Sequence, residues 1–342
     1  MNLIALGEAL RDRKEKPYRL EQAKQAYYVS LGTSWEDVTS WSKQLREEVA
    51  AIIPWDTMTC NQVQESAQGD TIKFLLTCTD GSKIESVIMR HKGDRNTVCI
   101  SCQVGCPMAC AFCATGKMGL TRNLTADEIV EQVIVAARWL QERDAKVTNV
   151  VYMGMGEPMN NYEEVMKSVR LLNDPKTFAL GVRHISISTC GIVPGILKLA
   201  DDPLRVNLAI SLHAGTDETR SKIMPVNKAY PIKKLLQAVD TYLEKTNRKV
   251  LLEYLMLRGI NDTREEAKAL AKLVQHKKHL YHVNVIKYHD TGVFTHTEED
   301  GRVQFVEWLR EEGVQVTHRR TFGEDISAAC GQLATESRKA KS

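Results

Sequence analysis

Three closely spaced cysteines are the residues of this sequence best suited to carry chemistry. Cys106, Cys110 and Cys113 stand in the segment CPMACAFC. Thiolates are the usual ligands of a [4Fe–4S] cluster, which normally takes four of them. Three thiolates leave one iron open, and the amino and carboxylate groups of S-adenosylmethionine suit that position. An electron from the cluster can then break a carbon–sulfur bond and release an adenosyl radical.

A zinc site is the alternative use of the same thiols. Zinc favours two pairs of cysteine or mixed cysteine and histidine ligands with short spacers, and the CxxxCxxC spacing of this motif fits that arrangement poorly. Five of the nine cysteines fall within residues 99–113. An odd total in a chain without a visible export signal argues against a disulfide framework. The pattern therefore favours one iron–sulfur cluster per chain.

Length and composition indicate one large α/β domain with a small accessory domain. The chain has 342 residues, 43% of them hydrophobic, and a formal net charge of +3. That charge permits a nucleic-acid partner without requiring one. No run reaches the ~18 apolar residues of a membrane helix, and the first residues lack the pattern of a secretory signal. We therefore expect a cytoplasmic protein that does not contact a membrane.

Strands and helices alternate after the cysteine loop, which is typical of a parallel sheet. A capping box formed by Thr125 and Glu128 begins the first of these helices. Six strands are predicted, at residues 98–101, 147–153, 182–188, 206–212, 250–255 and 282–287. Six such strands fit a partial barrel or an open sheet. In both architectures the functional residues gather at the carboxyl ends of the strands.

The N-terminal part of the chain is predicted to be helical. One helix is expected over residues 18–31, and apolar residues at helical spacing predict a second one from an N-cap at Ser34 to Val49. Two strands over 71–79 and 83–90 follow, joined by an Asp-Gly turn. The chain is thus divided into a helical accessory domain over 1–65, which is a candidate RNA-binding domain, a β-hairpin linker over 66–95, a main domain over 96–334 and a basic tail over 335–342.

The cysteine motif, with an aromatic residue before its last cysteine, resembles the signature of the radical S-adenosylmethionine superfamily. Further motifs in matching order resemble the RlmN/Cfr family: VCISCQVGC at 98–106, GMGEP at 154–158, SLH at 211–213, MPVN at 224–227 and AACGQL at 328–333. The resemblance implies a partial (β/α)6 barrel of radical SAM type, an α/β fold, with a small helical N-terminal domain. It also implies methylation of an adenine ring carbon, C2 or C8, in 23S ribosomal RNA, with transfer RNA as a substrate of some members.

The resemblance implies that Cys330, Cys99 and Glu85 are the catalytic residues. Cys330 would take a methyl group from one S-adenosylmethionine, and the radical from a second would remove a hydrogen from that methyl. The methylene radical then adds to adenine, and Cys99 resolves the RNA–protein adduct by forming a disulfide with Cys330. Glu85 matches a position assigned to proton transfer. A thiolate accepts a methyl group well, whereas an adenine carbon that is not nucleophilic needs a radical route.

Positions that match the family also imply contacts with the cofactor at the strand ends. These are Gly156, Glu157, Ser188, Ser211, Leu212, His213 and His289. Glycine lets a ligand approach the backbone, and a glutamate carboxylate can pair with an ammonium group. His289 stands where the family usually has asparagine. Cys102 replaces a common serine and either competes as a ligand or packs into the core.

Residue types alone give several of these residues simpler interpretations. Free cysteines such as Cys330 and Cys99 are often small buried hydrophobes. Glu85 would be a surface carboxylate of a hairpin, and a lone histidine such as His213 is more often structural. Two other functions stay open: a radical enzyme with another substrate, and a non-catalytic RNA-binding module held by a cluster or zinc. The second would need neither Cys330 nor Cys99.

Partners are only weakly encoded in the sequence. Basic patches at 277–278, 318–320 and 338–341 are candidate phosphate contacts. Phe322-Gly323 resembles the Cfr branch of the family, which acts at carbon eight. The resemblance further implies an electron donor such as flavodoxin or ferredoxin, and we expect a monomer.

Overall fold

Twelve strands form one large sheet and one small hairpin in the computed structural model, which describes residues 1–334. The predicted basic tail, residues 335–342, lies outside the described residues. The strands are β1 Met58–Glu65, β2 Thr71–Cys78, β3 Lys83–Arg90, β4 Asn96–Cys99, β5 Gln103–Cys106, β6 Gly119–Asn123, β7 Asn149–Tyr152, β8 Ile185–Thr189, β9 Asn207–Ser211, β10 Val250–Met256, β11 Tyr281–Lys287 and β12 Val316–His318. Strands β5 and β6 pair only with each other, and the other ten form a single sheet.

The large sheet combines an antiparallel edge with a parallel body. Strands β1 to β4 pair antiparallel in chain order, and β4 continues parallel to β7, β8, β9, β10, β11 and β12 in that order. Each of these parallel strands lies beside the next one in chain order. The sheet therefore winds in one direction, as in a barrel, and its strand order does not reverse as it does in a doubly wound sheet. Within residues 1–334, β12 does not pair with β4. The predicted α/β partial barrel is therefore confirmed, with β12 as a parallel strand that the sequence did not predict.

Eleven α-helices surround the described sheet. They are α1 Leu3–Asp12, α2 Tyr18–Lys24, α3 Lys43–Ala50, α4 Ala114–Met118, α5 Ala126–Gln141, α6 Tyr162–Asn173, α7 Val193–Asp201, α8 Asp217–Ile223, α9 Ile232–Thr246, α10 Arg264–Val274 and α11 Glu299–Glu311. Helix α5 begins at the predicted capping box, in which Thr125 and Glu128 satisfy each other's backbone amides. None of the helices among residues 1–334 combines the length and hydropathy of a membrane span.

The N-terminal helices differ from the prediction. Ser34 begins only a short 3-10 turn, Trp35–Asp37, and Val38 then leaves the helical region with φ −83° and ψ 62°. The expected helix from Ser34 is therefore wrong, and α3 starts at Lys43 behind the N-cap Ser42. The regularly spaced apolar residues of this segment pack against each other without forming a helix: the indole rings of Trp35 and Trp41 stack with their centroids 5.6 Å apart.

Strand β1 was also missed by the sequence analysis. It is an edge strand whose residues are almost all exposed beyond Met58, so it carries no hydrophobic alternation. By contrast, β2 and β3 are inner strands and lie where they were predicted. The Asp-Gly turn between them is also present, since Gly81 has a φ of 80°. The inner strand β3 pairs with β4, and this pairing positions Cys99, the last residue of β4.

Candidate active site

One cavity opens at the carboxyl ends of the parallel strands, where the sequence predicted the functional residues. Its wall contains the three motif cysteines, Cys106, Cys110 and Cys113, together with Cys99 and Cys330. Most of the predicted cofactor-binding residues also line it, namely Gly156, Glu157, Ser188, Ser211, His213 and His289. Two predicted site residues, Glu85 and Leu212, do not form part of the wall.

The cysteine loop is held in place by its backbone. Cys106 ends β5, Cys113 is the N-cap of α4, and the Cys113 amide donates to the Cys110 carbonyl at 3.1 Å. Gly105 has a φ of 76°, and a Cβ there would lie 1.9 Å from the carbonyl oxygen of Gly119. Only glycine therefore allows β5 and β6 to pair immediately before the first ligand. The hairpin therefore fixes the backbone at the start of the cysteine loop.

The burial of two of these thiols determines which charge a ligand of the cysteine loop must carry. Burial raises the pKa of Cys106 to about 12, and it raises the pKa of Cys110 further, with Cys113 and Cys106 as the next causes. Cys106 and Cys110 are therefore protonated near neutral pH unless a cation offsets the cost of their charge. Three soft sulfur donors on one wall fit an iron–sulfur cluster, in which each thiolate binds a different iron.

Glu157 lies deep in the wall and already has backbone partners. Its carboxylate accepts hydrogen bonds from the amides of Met159 at 3.0 Å and Cys190 at 2.8 Å. Burial nevertheless raises its pKa above the ordinary value. The side chains of Thr189 and Cys190 also donate to it, so an ammonium group would share or replace one of these partners. The adjacent Gly156 has a φ of 104°, and a Cβ there would lie 2.6 Å from Gln103.

His213 is buried and neutral. Burial, followed by the charge of Arg220, lowers its pKa to about 3. Its Nδ1 accepts a hydrogen bond from the Leu255 amide at 3.0 Å, which leaves the ring proton on Nε2. His213 thus joins the end of β9 to β10 and lines the cavity as a donor. The neighbouring Leu212 is fully buried, and its amide donates to the Glu253 carbonyl at 3.1 Å.

His289 occupies the position where asparagine was expected. Only 4% of the residue is exposed, and its Nδ1 makes no hydrogen bond within the described residues. The carboxylate of Glu324 lies 3.4 Å from that nitrogen and also pairs with Lys287 at 2.6 Å. Burial lowers the pKa of His289. A buried ring on the cavity wall with an unused nitrogen remains able to bind a polar ligand.

Cys330 and Cys99 come together on this cavity although they lie at opposite ends of the main domain. Cys330 is exposed and Cys99 is half-buried. Burial, followed by the neighbouring Cys330, raises the pKa of Cys99 to about 12. All nine cysteines lie within residues 1–334 and are free thiols, so the expected disulfide between Cys99 and Cys330 is not supported. The structure instead brings the two thiols close together in the reduced state.

Glu85 is buried, so its simpler interpretation as a surface carboxylate of a hairpin is wrong. It is 4% exposed, because β3 lies between β2 and β4 rather than at an edge. Its carboxylate pairs with Lys73 at 3.2 Å and accepts a hydrogen bond from the amide of Ala334 at 2.8 Å. Glu85 therefore connects the sheet to the segment that follows Cys330, outside the cavity wall.

Many wall residues were not predicted as site residues, among them three that carry a thiol, a carboxylate or a guanidinium group. Cys190 follows β8 and donates its amide to Glu157, Glu253 lies on β10, and Arg319 follows β12. Their position after or within strands of the parallel sheet was the available signal for Cys190 and Glu253. Arg319 was predicted only as part of the basic patch at 318–320, because the sequence did not predict β12 and so did not place the residue at the cavity. Cys102, in contrast, is 2% exposed and packs in the main core away from the wall.

The fold and the three-cysteine site define a radical S-adenosylmethionine enzyme, and the family model described as the radical SAM superfamily matches residues 100–274. A crystal structure of a radical SAM methyltransferase from Sphaerobacter thermophilus superposes with a TM-score of 0.93, at 42% identity over 97% of both chains. Probable dual-specificity RNA methyltransferases RlmN from Geobacillus kaustophilus and Bacillus subtilis are both 42% identical, over 99% and 98% of this chain and 92% of each relative. The chain belongs to the RlmN family of radical SAM enzymes. Membership implies a [4Fe–4S] cluster and S-adenosylmethionine, and this sets aside the zinc site.

Proposed function

We propose that the protein is a dual-specificity RNA methyltransferase that methylates an adenine ring carbon in 23S ribosomal RNA and in transfer RNA. The observation that carries the proposal is that Cys330 and Cys99 share one cavity wall with Cys106, Cys110 and Cys113. A module that only binds RNA needs neither Cys330 nor Cys99 there. A radical enzyme with a substrate other than RNA is the second candidate, and the experiment below separates it.

The cofactor would be held by the groups that converge on the cavity. Cys106, Cys110 and Cys113 would bind the cluster, which when bound supplies the electron that cleaves S-adenosylmethionine. Glu157 would accept from the methionine ammonium, and Gly156 lets that part of the ligand approach the backbone. Ser188, Ser211, the Leu212 backbone, His213 and His289 would complete the binding site.

The remaining residues would carry the methyl group. Cys330 is exposed to the cavity and would accept a methyl group from S-adenosylmethionine by direct displacement. Cys99 lines the same wall and would attack the sulfur of Cys330 after the methylene carbon has bonded to the adenine, so that the disulfide forms as the carbon–sulfur bond to the RNA breaks. Before Glu85 takes part in proton transfer, its carboxylate would have to leave the Ala334 amide and turn towards the cavity.

The ring carbon is expected to be carbon two. The relatives are RlmN enzymes, whereas the branch that acts at carbon eight is Cfr. The Cfr-like Phe322 packs in the wall, with its ring 4.7 Å from His91 and 5.0 Å from the Arg320 guanidinium. This packing gives the residue a structural role that does not depend on the choice of carbon.

The protein is further proposed to be a cytoplasmic monomer that receives its electron from flavodoxin or ferredoxin. RNA would approach the cavity past its basic rim. Arg320 is half exposed there and pairs with Asp70 at 2.6 Å. The patch at Lys277 is less available, since its ammonium pairs with Glu244 at 2.7 Å and Asp240 at 3.4 Å.

The test is anaerobic reconstitution of the cluster, followed by incubation with ribosomal and transfer RNA, labelled S-adenosylmethionine and a reductant. Mass spectrometry of the digested RNA should find methyladenosine with the label on carbon two in both RNAs. Label on carbon eight would move the enzyme to the other branch. Deoxyadenosine release with a methyl group on Cys330 and no labelled RNA would refute the RNA substrate and favour the second candidate.

A further inference from the structure

The turn between β3 and β4, residues 91–95, carries two cations that have no role yet in the proposed function. Lys92 and Arg95 are exposed, and neither joins an ion pair within residues 1–334. Gly93 has a φ of 73°, and no atom lies within 4 Å of the position that a Cβ would take there. Asp94 is the single carboxylate of this segment. The turn therefore projects into open space with a positive charge.

A chain of contacts joins this turn to the cavity wall. The guanidinium of Arg95 lies 2.8 Å from Nδ1 of His91, and the His91 ring meets the ring of Phe322 edge-on at 4.7 Å. The guanidinium of Arg320 lies 5.0 Å from the centroid of the same Phe322 ring. Phe322 and Arg320 both line the cavity. Lys92, Arg95 and Arg320 thus belong to one continuous surface beside the cavity, which we call the rim surface.

Arg320 is held in place and still accessible. One of its terminal nitrogens pairs with Asp70 at 2.6 Å, while 51% of its side chain is exposed. A guanidinium has five N–H donors in a planar fork that matches a phosphate group. Phe322 is only 8% exposed, so its ring supports the guanidinium and is not itself open to a base. A side chain that is already ordered loses less freedom when it binds a ligand.

His91 connects the cations without adding to their charge. Burial, followed by the charges of Arg95, Arg319 and Arg320, lowers its pKa to about 4. The ring is therefore neutral near pH 7, and its Nδ1 can accept a hydrogen bond from Arg95. Its Nε2 lies 3.2 Å from the hydroxyl of Thr97 on β4, which anchors the ring to the sheet.

The accessory helices offer a poorer surface for phosphates. Acidic residues outnumber basic ones in residues 1–65. Several cations of this region are already paired with carboxylates, namely Arg13, Arg19, Lys24, Lys43 and Arg46. A paired cation would have to exchange its carboxylate for a phosphate, whereas Lys92 and Arg95 have no such partner to lose.

The chemistry of the substrate requires a surface of this kind. An adenine must leave its stack to reach a thiol on the cavity wall, and Cys330 shares that wall with Arg320. Contacts with phosphates fix the register and orientation of a nucleic acid without reading its sequence. We propose that the rim surface binds the phosphates that flank the target adenine and so fixes the RNA while this base lies in the cavity. The inference rests on the proposed function, because that function makes RNA the substrate.

The test measures RNA affinity and its dependence on salt. Full-length holoenzyme is titrated anaerobically into a labelled, unmodified transfer RNA transcript, and fluorescence anisotropy gives the Kd between about 0.05 and 0.4 M salt. Each lost phosphate contact lowers the slope of log Kd against log salt by about 0.7–0.9. We therefore expect Lys92→Gln/Arg95→Gln to lower this slope by about 1.5 and to weaken binding about tenfold near 0.15 M salt.

Single-charge variants of Arg320 test the part of the rim surface that lines the cavity. Arg320→Gln should weaken binding several-fold and lower the slope by about 0.8, and Arg320→Lys should recover most of the slope because it restores the charge. The matched control is Lys268→Gln/Lys272→Gln, which removes two exposed cations from α10 that also lack an ion pair within residues 1–334. It should bind RNA like wild type. Cluster absorbance of every variant verifies that the holoenzyme is intact.

Three results would overturn the proposal. The first is a wild-type slope in Lys92→Gln/Arg95→Gln, and the second is an equal loss in the α10 control. The third is a larger loss in Lys14→Gln/Lys16→Gln, which removes two exposed cations between α1 and α2 and would move the phosphate contacts to the accessory helices. Unchanged RNA binding combined with slower reduction of the cluster by flavodoxin would equally refute it, in favour of a protein partner.

Failure of the proposed function gives a different result. If the wild-type holoenzyme methylates no RNA but the rim variants lose the expected salt slope, the proposed function is wrong and the phosphate-binding surface is supported. If the wild type methylates RNA and Lys92→Gln/Arg95→Gln keeps its affinity and slope, the surface is refuted and the proposed function is supported.

Discussion

Ala114 donates its backbone amide to the carbonyl oxygen of Gly331 at 2.8 Å. The first of these residues follows Cys113, a proposed cluster ligand, and the second follows Cys330, the proposed methyl acceptor. The hydroxyl of Thr115 repeats the connection with a 2.5 Å hydrogen bond to the Leu333 carbonyl. These two hydrogen bonds hold the segment that carries Cys330 against the first turn of α4. They therefore link the position of Cys330 to that of the cysteine loop.

Replacing each of the paired thiols should stop the reaction at a different stage. Cys330→Ala removes the acceptor, so neither methylated protein nor methylated RNA should form. Cys99→Ala keeps the acceptor but removes the thiol that resolves the adduct, so RNA covalently bound to Cys330 should accumulate. Denaturing gels and peptide mass spectrometry distinguish the two products. Methylated RNA made by Cys330→Ala would show that the methyl-cysteine route is wrong.

The cluster should depend on the motif cysteines and not on Cys102. Cys110→Ser removes one of three ligands from the cavity wall, and we expect iron and sulfide content to fall below one half of the wild-type value. Cys102→Ser is the matched control, because that side chain packs in the main core away from the wall. Iron analysis and visible absorbance after reconstitution measure both. A comparable loss in Cys102→Ser would make Cys102 a ligand.

The glycine before the first ligand should tolerate no side chain. In Gly105→Ala the new Cβ would overlap the Gly119 carbonyl at 1.9 Å, and backbone atoms cannot move aside by changing rotamer. We expect a loss of roughly 3 kcal/mol or more of stability, together with loss of cluster binding. Gly81→Ala is the control: its φ of 80° is also positive, but no atom lies within 4 Å of the new Cβ. It should cost about 1–2 kcal/mol and keep the cluster.

Acid should destabilise the protein through His213. Its folded-state pKa is about 3, against an ordinary value of 6.5, so between these values the unfolded chain binds a proton that the folded chain excludes. The free energy of unfolding therefore falls as the pH drops below 6.5. At pH 5 the contribution is about 2 kcal/mol relative to neutral pH. Chemical denaturation at pH 7 and pH 5 measures it.

A histidine variant isolates this contribution from those of other groups. His213→Gln cannot take up the proton, so its loss of stability between pH 7 and pH 5 should be smaller than that of the wild type by about 2 kcal/mol. His184→Gln, at an exposed position on a 3-10 turn, should lose as much stability as wild type. Equal pH dependence in wild type and His213→Gln would show that His213 is not held neutral.

Regular elements with strong patterns could be predicted, and elements without them could not. The inner strands β2 and β3 lie at their predicted ranges, and helix α5 begins at its predicted capping box, because burial and capping leave a readable pattern in the sequence. Strand β1 is exposed and β12 has only three residues, so neither carries a readable pattern. The helix predicted from Ser34 does not form, because the spacing of its apolar residues reflects the tertiary packing of the tryptophans and not the face of a helix.

The sequence by itself determined the chemistry of this protein: the spacing of Cys106, Cys110 and Cys113 is local, and so are the motifs that define the family. Only the tertiary structure decided which distant groups meet. It brought Cys99 and Cys330 to one cavity wall, buried Glu85 beside Ala334, kept Cys102 in the core and paired Arg319 with Glu253 and Arg320 with Asp70. Such contacts join residues that are far apart in the chain, and the strand order and register that bring them together are set by the packing of the whole core rather than by any local pattern.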